Sequence, residues 1–205
     1  MTTITSALSW VVGSCISAEL LGYWLHRLLH SGAVGFLSRS HMRHHLLLYG
    51  PRQPQRSEEY HDATTGTFAL GNIGTEWLLP AAVLILPTVG IFLLLHVRPL
   101  YEWIYFTTTL AWSFLMFSEL HDVMHIQNFW LERTPVLKQW FVGARRKHDL
   151  HHFSINDRGL MDNNFGIAFS FFDRLFGTFS EVMPGFNQNG YKAAGERFKS
   201  LLDGK

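Results

Sequence analysis

Ten of the twelve histidines in this chain form two copies of one pattern, a pair at spacing i, i+4 followed by a triplet at i, i+3, i+4. The first copy is His26, His30, His41, His44 and His45, and the second is His121, His125, His148, His151 and His152. On a helix, these spacings place side chains on one face, so three ring nitrogens can converge on one point. Imidazole suits zinc, copper, iron and nickel. We therefore expect a metal centre.

The number of histidines indicates how many ions this centre holds. Ten nitrogens exceed the needs of one tetrahedral or octahedral ion. They suit two ions with five nitrogens each, which leaves positions for water, oxygen or substrate. A lone buried histidine is usually a satisfied core residue, but four such groups in one apolar chain are implausible by chance. The sequence predicts a dinuclear site.

Composition places this chemistry in a membrane setting. Hydrophobic residues make up 47% of the 205 residues and charged residues only 16%, against roughly 25% charged in typical soluble domains. The net charge of +1 suggests no nucleic-acid partner. The only cysteine, Cys15, excludes an internal disulfide and a thiolate-ligated iron–sulfur cluster.

Three apolar stretches predict membrane-spanning helices. They are residues 4–29, one crossing within 66–97, and residues 101–120. Glu19 lies in the middle of the first span and is either a functional residue or an acid facing neighbouring helices or a wet cavity. His96, at the edge of its apolar run, is interpreted as interfacial.

Topology follows from parity and charge. Both histidine sets must lie on one face of the membrane to share a centre, so an even number of crossings separates them. Five Lys and Arg lie in residues 26–62 and eleven in 122–205, while only Arg98 lies between the central spans. Basic residues mark the cytoplasmic side. We expect one domain over residues 1–205: an all-α, integral membrane helical bundle with a cytosolic His-rich cap formed by 30–62 and 121–205.

Residues after the second pair predict a further helix. Thr134 and Pro135 suit its N-cap and first position. Its Lys138, Arg145, Arg146 and Lys147 indicate a membrane-surface helix with basic residues near headgroups, or else an ordinary amphipathic helix on the core. The polar tail from Pro184 onward suggests no chemistry.

The histidine pattern resembles the membrane fatty acid hydroxylase and sterol desaturase superfamily. Two C-terminal stretches strengthen this resemblance over roughly residues 10–180. Asn164-Phe165-Gly166 is similar to the family's Asn-aromatic-Gly, and Phe172–Thr178 is similar to its aromatic-Asp-x-x-Phe-Gly-Thr, with Phe where Trp is common. The chain departs from many members in having one span, not a two-helix hairpin, before the first pair.

The resemblance implies that the ten histidines hold two iron ions, which zinc can replace during overexpression. It implies O2 as co-substrate and oxidation of C–H bonds in a lipid by a multi-pass protein of the bacterial inner membrane or the ER. No His-Pro-Gly-Gly of a fused cytochrome b5 domain is present, so a separate cytochrome b5, ferredoxin or flavodoxin-type donor is expected. Sterol, fatty acyl, carotenoid and headgroup substrates stay open, as do hydroxylation and desaturation.

Four residues near the ligands have open roles. Asp122 and Asp149 either hydrogen-bond the outer ring nitrogens of histidines or are solvated or salt-bridged acids beside Arg145 and Arg146. His61 is interpreted as a hydrogen-bonding or interfacial residue, with support of a ligand as the alternative. Asn164 is expected to have a structural role, such as capping a helix, over an approach to the metals. Asp173 is expected to hold the C-terminal fold together.

Two competing functions keep the metals but change their use. A membrane hydrolase could use two zinc ions to activate water, although a set of ligands without bridging Asp or Glu disfavours it. A non-enzymatic metal-handling or transport protein would spread its ligands through a pore and not gather them at helix ends.

Overall fold

Helices account for nearly all regular structure in the computed structural model, which describes residues 3–65 and 75–203. No strand forms within these ranges; two isolated bridges pair Arg56 with Ile126 and Ile155 with Met161. The ten α-helices of the described residues are α1 (Thr3–Ser31), α2 (Gly35–Arg43), α3 (Glu58–Thr65), α4 (Thr75–Leu94), α5 (Pro99–Ser113), α6 (His121–Val123), α7 (Lys138–Phe153), α8 (Phe171–Phe176), α9 (Gln188–Arg197) and α10 (Lys199–Asp203).

Helix α1 carries the first histidine pair at its C-terminal end. The helix ends at Ser31 because Gly32 has a positive φ of 69°, a conformation that glycine adopts without steric cost. By length and composition, Ile4–Ser31 is the one segment of the described residues able to cross a membrane; Ile85–Leu94 is a shorter apolar helix. The predicted helix over 4–29 is confirmed. The crossings expected within 66–97 and 101–120 stay predictions, and residues 66–74 lie outside the described ranges.

Helix α5 packs along α1 and fixes where the two histidine pairs meet. Trp112 of α5 donates its indole N–H to the Glu19 carboxylate at 2.8 Å, and Glu19 is buried. Glu19 therefore faces a neighbouring helix, one of the two alternatives predicted. Further along, the Phe117 ring lies where a Cβ on Gly22 would be, at 2.0 Å. Glycine thus lets the two helices approach closely, one turn before His26.

Two π-helical segments adjoin the histidines. One follows α2 without a break over His44–Leu48, and the other joins α5 to α6 over Phe114–Leu120. A π segment bonds residue i to i+5, which changes the angular position of the side chains that follow, and such segments are frequent at functional sites. One begins at His44 and the other ends immediately before His121.

Helix α7 begins later than the sequence predicted. The Thr134 carbonyl accepts hydrogen bonds from the amides of Leu137 at 3.1 Å and Lys138 at 2.8 Å. Residues 134–137 therefore form a turn with Pro135 at its second position, where proline is favoured. The helix itself begins at Lys138, so the predicted N-cap at Thr134 was wrong.

The basic face of α7 is not uniformly at the surface. Arg145 is buried, forms an ion pair with Glu132 and donates to the Ile126 carbonyl at 2.8 Å. The expectation that Arg145 lies near lipid headgroups was wrong. A guanidinium with five donors binds the segment after the second histidine pair to α7.

The C-terminal tail is part of the core. Ala194 of α9 and Phe198 are almost fully buried against Met42 and Leu46 of the first triplet's helix. Gly190 fits closely over the Asn156 carbonyl, which would lie 2.5 Å from an added Cβ. The tail therefore supports the helix that carries His41, His44 and His45.

Candidate metal centre

The structure brings the predicted ligands into two adjoining groups of side-chain nitrogens. Within each group, one nitrogen of every histidine lies within 4.8 Å of the others. The first group is His26, His30, His41, His45 and His151; the second group is His44, His125, His148 and His152. The rings of His45 and His152 stack at 3.9 Å between centroids, so the groups share a wall.

Each triplet divides between the two groups. The residues at i and i+4 enter one group and the residue at i+3 enters the other. Positions i and i+4 differ by only about 40° around a helix, whereas i+3 and i+4 differ by about 100°. The expectation that all three nitrogens of a triplet converge on one point was therefore wrong. Each triplet therefore contributes one histidine to the other group. His44 of the first triplet joins the second group, and His151 of the second triplet joins the first.

Ring nitrogens of the same kind face each other within each group. The Nε2 atom of His30 lies 2.9 Å from that of His41 and 2.9 Å from that of His151. In the second group, the Nε2 of His148 lies 3.1 Å from those of His125 and His152. The Nε2 atoms of His26 and His44 are buried without a hydrogen-bond partner among the described residues.

Backbone carbonyls hold the outer nitrogens of four of these histidines. Their Nδ1 atoms lie 2.6 to 2.8 Å from carbonyl oxygens, in the pairs His26 with Phe165, His125 with Pro54, His151 with Asn163, and His152 with Tyr49. A carbonyl only accepts, so each Nδ1 carries the proton. Each corresponding Nε2 then presents a lone pair to the interior of its group.

This arrangement fits bound cations. In the second group, His125 and His152 both direct Nε2 lone pairs at the same region, and lone pairs 3 Å apart repel unless a positive charge lies between them. Metal–imidazole bonds of about 2.0–2.1 Å place neighbouring ligands of a tetrahedral or octahedral ion about 2.8–3.4 Å apart. The observed Nε2 separations of 2.9 to 3.2 Å are close to that range.

Burial keeps the histidines of the two groups neutral. Desolvation lowers the pKa of His45, His125, His148 and His152 well below the usual value, and neighbouring imidazoles lower it further. The pKa of His151 falls to about 4, chiefly through burial. Neutral imidazole is the form that binds metal, so protons do not compete strongly for these nitrogens at neutral pH.

His121, the tenth predicted ligand, lies beside the second group without joining it. Its ring centroid is 4.6 Å from that of His44 and 4.7 Å from that of His148. Its Nε2 is buried and has no hydrogen-bond partner within the described ranges, and its Nδ1 lies 3.5 Å from the Asp122 carboxylate. His121 thus lies where a fifth member of the second group would lie.

The other predicted residues lie around the groups. Asp149 accepts a hydrogen bond from Gln55 at 2.6 Å and contacts no outer histidine nitrogen; burial raises its pKa to about 6. His61 lies 3.5 Å from Asp62 and belongs to neither group. Asn164 bonds the amide and carbonyl of Ser180, each at 2.9 Å, which is a structural contact.

Asp173 was expected to hold the C-terminal fold together, but its positioning of a histidine was missed by sequence reasoning, as were the backbone carbonyls. Asp173 accepts hydrogen bonds from the amides of Phe165 at 2.7 Å and Gly166 at 2.8 Å, and from the Thr178 hydroxyl. It thereby fixes the Phe165 carbonyl that binds His26. The loop after the first triplet supplies the Tyr49 and Pro54 carbonyls. Backbone acceptors leave no residue-type signal. The Asn-Phe-Gly and Asp-x-x-Phe-Gly-Thr motifs did, however, include the residues of the contact between Asp173 and the Phe165 amide.

A family model described as fatty acid hydroxylase matches residues 11–178. The chain belongs to the fatty acid hydroxylase family. Membership implies an oxidoreductase that hydroxylates lipid in a membrane setting, and the matched range includes all ten histidines and both C-terminal motifs. Neither a curated protein nor a solved structure matches this family member.

Proposed function

We propose that this chain is an O2-dependent di-iron hydroxylase of a membrane lipid, such as a fatty acyl chain or a sterol. The observation that carries the proposal is the pair of adjoining all-histidine groups with converging Nε2 atoms. The first group would hold one iron ion, and the second group together with His121 would hold the other. When bound, the two irons supply dioxygen activation and oxidation of a lipid C–H bond.

The chain's own residues prepare the site for that chemistry. The carbonyls of Tyr49, Pro54, Asn163 and Phe165 orient four imidazoles and set their tautomers. Eight of the ten histidine side chains are buried, which excludes bulk water from the reacting carbon. Orientation and dryness are what a protein contributes to metal-based oxidation.

Lipid access is supported by the exposed faces of α1 and α5. Large apolar side chains lie uncovered on both helices, including Ile4, Leu8, Trp103 and Leu110. Such a surface is unfavourable in water and suits hydrocarbon. Both helices lead towards the histidines, so a substrate dissolved in the bilayer could approach along them.

We further propose a multi-pass topology with both groups on the cytosolic face. Crossings at about 4–29, within 66–97 and at 101–120 would leave 30–62 and 121–205 as the cap. The excess of Lys and Arg in the two cap ranges supports this orientation.

The competing hydrolase and metal-handling functions are less well supported. Neither group contains an Asp or Glu among the described residues, and carboxylates are frequent ligands where zinc activates water. The groups are also buried at the ends of helices, where no transport path is evident in the described residues.

The decisive experiment is lipid mass spectrometry under isotopic oxygen. Cells expressing the chain under ¹⁸O2 are expected to accumulate a lipid that carries one ¹⁸O atom, whereas a hydrolase would take oxygen from labelled water. His30→Ala and His148→Ala are expected to abolish the product and to lower iron per chain. His96→Ala is the matched control, since His96 is exposed and remote from both groups. A product labelled only from water would disprove the proposal.

A further inference from the structure

A cleft of about 390 Å³ lies beside the loop that follows the first histidine triplet. One wall is the loop that contains Gly50, Arg52, Gln53 and Arg56, and the other includes Phe186 and Tyr191. Tyr191 fixes the second wall by donating to the Leu46 carbonyl at 3.1 Å. The cleft thus lies between the first triplet's helix and the C-terminal segment.

The cleft carries uncompensated positive charge. No acidic side chain lines it, and neither arginine forms an ion pair within the described residues. The Arg52 guanidinium lies 4.1 Å from the Phe186 ring centroid, and that of Arg56 lies 4.7 Å from the Tyr60 centroid. Stacking on aromatic rings holds both guanidinium groups in place, so their donors are oriented for an anionic partner.

The loop behind these arginines touches the second group directly. Its Tyr49 and Pro54 carbonyls accept from His152 and His125. The Tyr49 ring stacks on that of His125 at 4.2 Å between centroids, and lies 6.0 Å from that of Tyr60. A short succession of rings therefore runs from Arg56 through Tyr60 and Tyr49 to His125.

Hydroxylation requires electrons from outside this chain. The balance R–H + O2 + 2e⁻ + 2H⁺ → R–OH + H2O reduces one oxygen atom to water while the other enters the lipid. One cysteine cannot hold an iron–sulfur cluster. An external one-electron carrier would supply these electrons by docking twice in each turnover and being oxidised each time.

We propose that the cleft between residues 50–56 and 186–191 docks an acidic one-electron carrier protein, whose electrons reach the second group through Tyr60 and Tyr49. This inference rests on the proposed function. Charge complementarity of this kind steers association and orients the partner.

The observations favour an electron carrier over a lipid phosphate or an anionic substrate. The loop that lines the cleft contacts His125 and His152 through its Pro54 and Tyr49 carbonyls. A lipid whose headgroup occupied the cleft would therefore have this loop between it and the second group. An electron crosses such a wall through hydrogen bonds and stacked rings. Only a partner that transfers electrons without transferring atoms suits this position.

The test measures binding and electron delivery separately. The probe is a reduced, acidic plant-type [2Fe–2S] ferredoxin, mixed with the iron-loaded full chain in nanodiscs. Arg52→Glu with Arg56→Glu is expected to weaken the ferredoxin Kd about tenfold at low salt, and salt is expected to weaken wild-type binding. Arg133→Glu with Lys138→Glu, at two exposed positions away from the cleft, is the control with the same charge change and should bind normally.

Hydroxylation driven by dithionite distinguishes failure of this inference from failure of the proposed function. The double cleft variant should lose ferredoxin-driven product while keeping dithionite-driven product. Tyr60→Leu, which also removes the ring beneath Arg56, should slow electron delivery even at saturating ferredoxin. The inference is overturned if ferredoxin does not bind the wild type, if the cleft variant binds it normally, or if both reductants fail in that variant alone. Loss of anionic-lipid binding with normal ferredoxin binding would also overturn it and identify a headgroup site. Absence of product from the wild type with dithionite would instead count against the proposed function.

Discussion

Single histidines in this chain have roles that their sequence neighbours do not share. His44 and His45 are adjacent, yet His45 lies with His26 and His30 while His44 lies with His125. One residue of helical rotation separates their side chains by about 100°, which is enough to direct them to different groups. Each triplet therefore links both groups.

Pairs of alanine substitutions should follow the groups and not the triplets. His41→Ala with His151→Ala removes two members of the first group, so the chain is expected to lose about one metal ion and keep the other. His41→Ala with His44→Ala removes one member of each group and is expected to reduce both. Metal content by mass spectrometry after gel filtration checks this, with His96→Ala as the control. Equal losses in the two double variants would contradict the division.

Asp173 illustrates a residue that acts through the backbone. Its carboxylate accepts three hydrogen bonds, two of them from the amides beside the Phe165 carbonyl that binds His26. Asp173→Asn replaces one acceptor with a donor, and an unsatisfied buried group costs about 1–3 kcal/mol. We expect a lower free energy of unfolding and weaker metal binding, measured by denaturant titration and metal competition. Asp62→Asn, at an exposed position, is the control and should change neither quantity. Unchanged metal affinity in Asp173→Asn would show that Asp173 does not position His26.

At the scale of elements, the seam between α1 and α5 sets the distance between the two histidine pairs. Gly22 and Phe117 are one turn before His26 and His121, and a Cβ added at Gly22 would lie 2.0 Å from the Phe117 ring. Any side chain at position 22 must displace the Phe117 ring, which belongs to the π segment that ends at Leu120, next to His121.

Gly22→Ala is therefore expected to destabilise the chain by about 1–3 kcal/mol through overpacking. Gly13→Ala is a matched control on the same helix, because nothing lies within 4 Å of a Cβ there. Thermal unfolding in detergent measures both. Adding Phe117→Leu to Gly22→Ala should recover part of the lost stability. If Gly13→Ala were equally destabilised, helix propensity or lipid contact would explain the effect instead of overpacking.

Local features of the fold were predictable from sequence, whereas long-range ones were not. The apolar run over residues 4–29 located α1, because such a helix depends on neighbouring residues. Spacing also identified the ten histidines that the fold gathers. Their division into groups depends on how distant helices pack, and the burial of Arg145 depends on Glu132, thirteen positions away. Backbone acceptors such as the Pro54 carbonyl have no sequence signature at all.

The whole molecule can gather both histidine sets only if the chain returns to the same side of the membrane between them. The structure joins the sets directly, through contacts such as His30 with His151 at 2.9 Å. Residues 46–120 must then either cross the membrane and cross back, or not cross it at all. The charge distribution distinguishes these cases, because a segment translocated to the outer face is poor in Lys and Arg, and residues 63–121 contain only Arg98.

Cysteine labelling should therefore place His96 and Arg158 on opposite sides of the membrane. Both positions are exposed, and Cys15→Ser first removes the only native thiol. In intact cells, or in right-side-out vesicles, His96→Cys is expected to react with a charged maleimide, while Arg158→Cys reacts only after permeabilisation. The reason is that two crossings, before and after residue 96, return the chain to the side that holds both groups. Labelling of both positions only after permeabilisation would mean that α4 and α5 do not cross, and that α1 alone anchors a metal centre lying on the membrane surface.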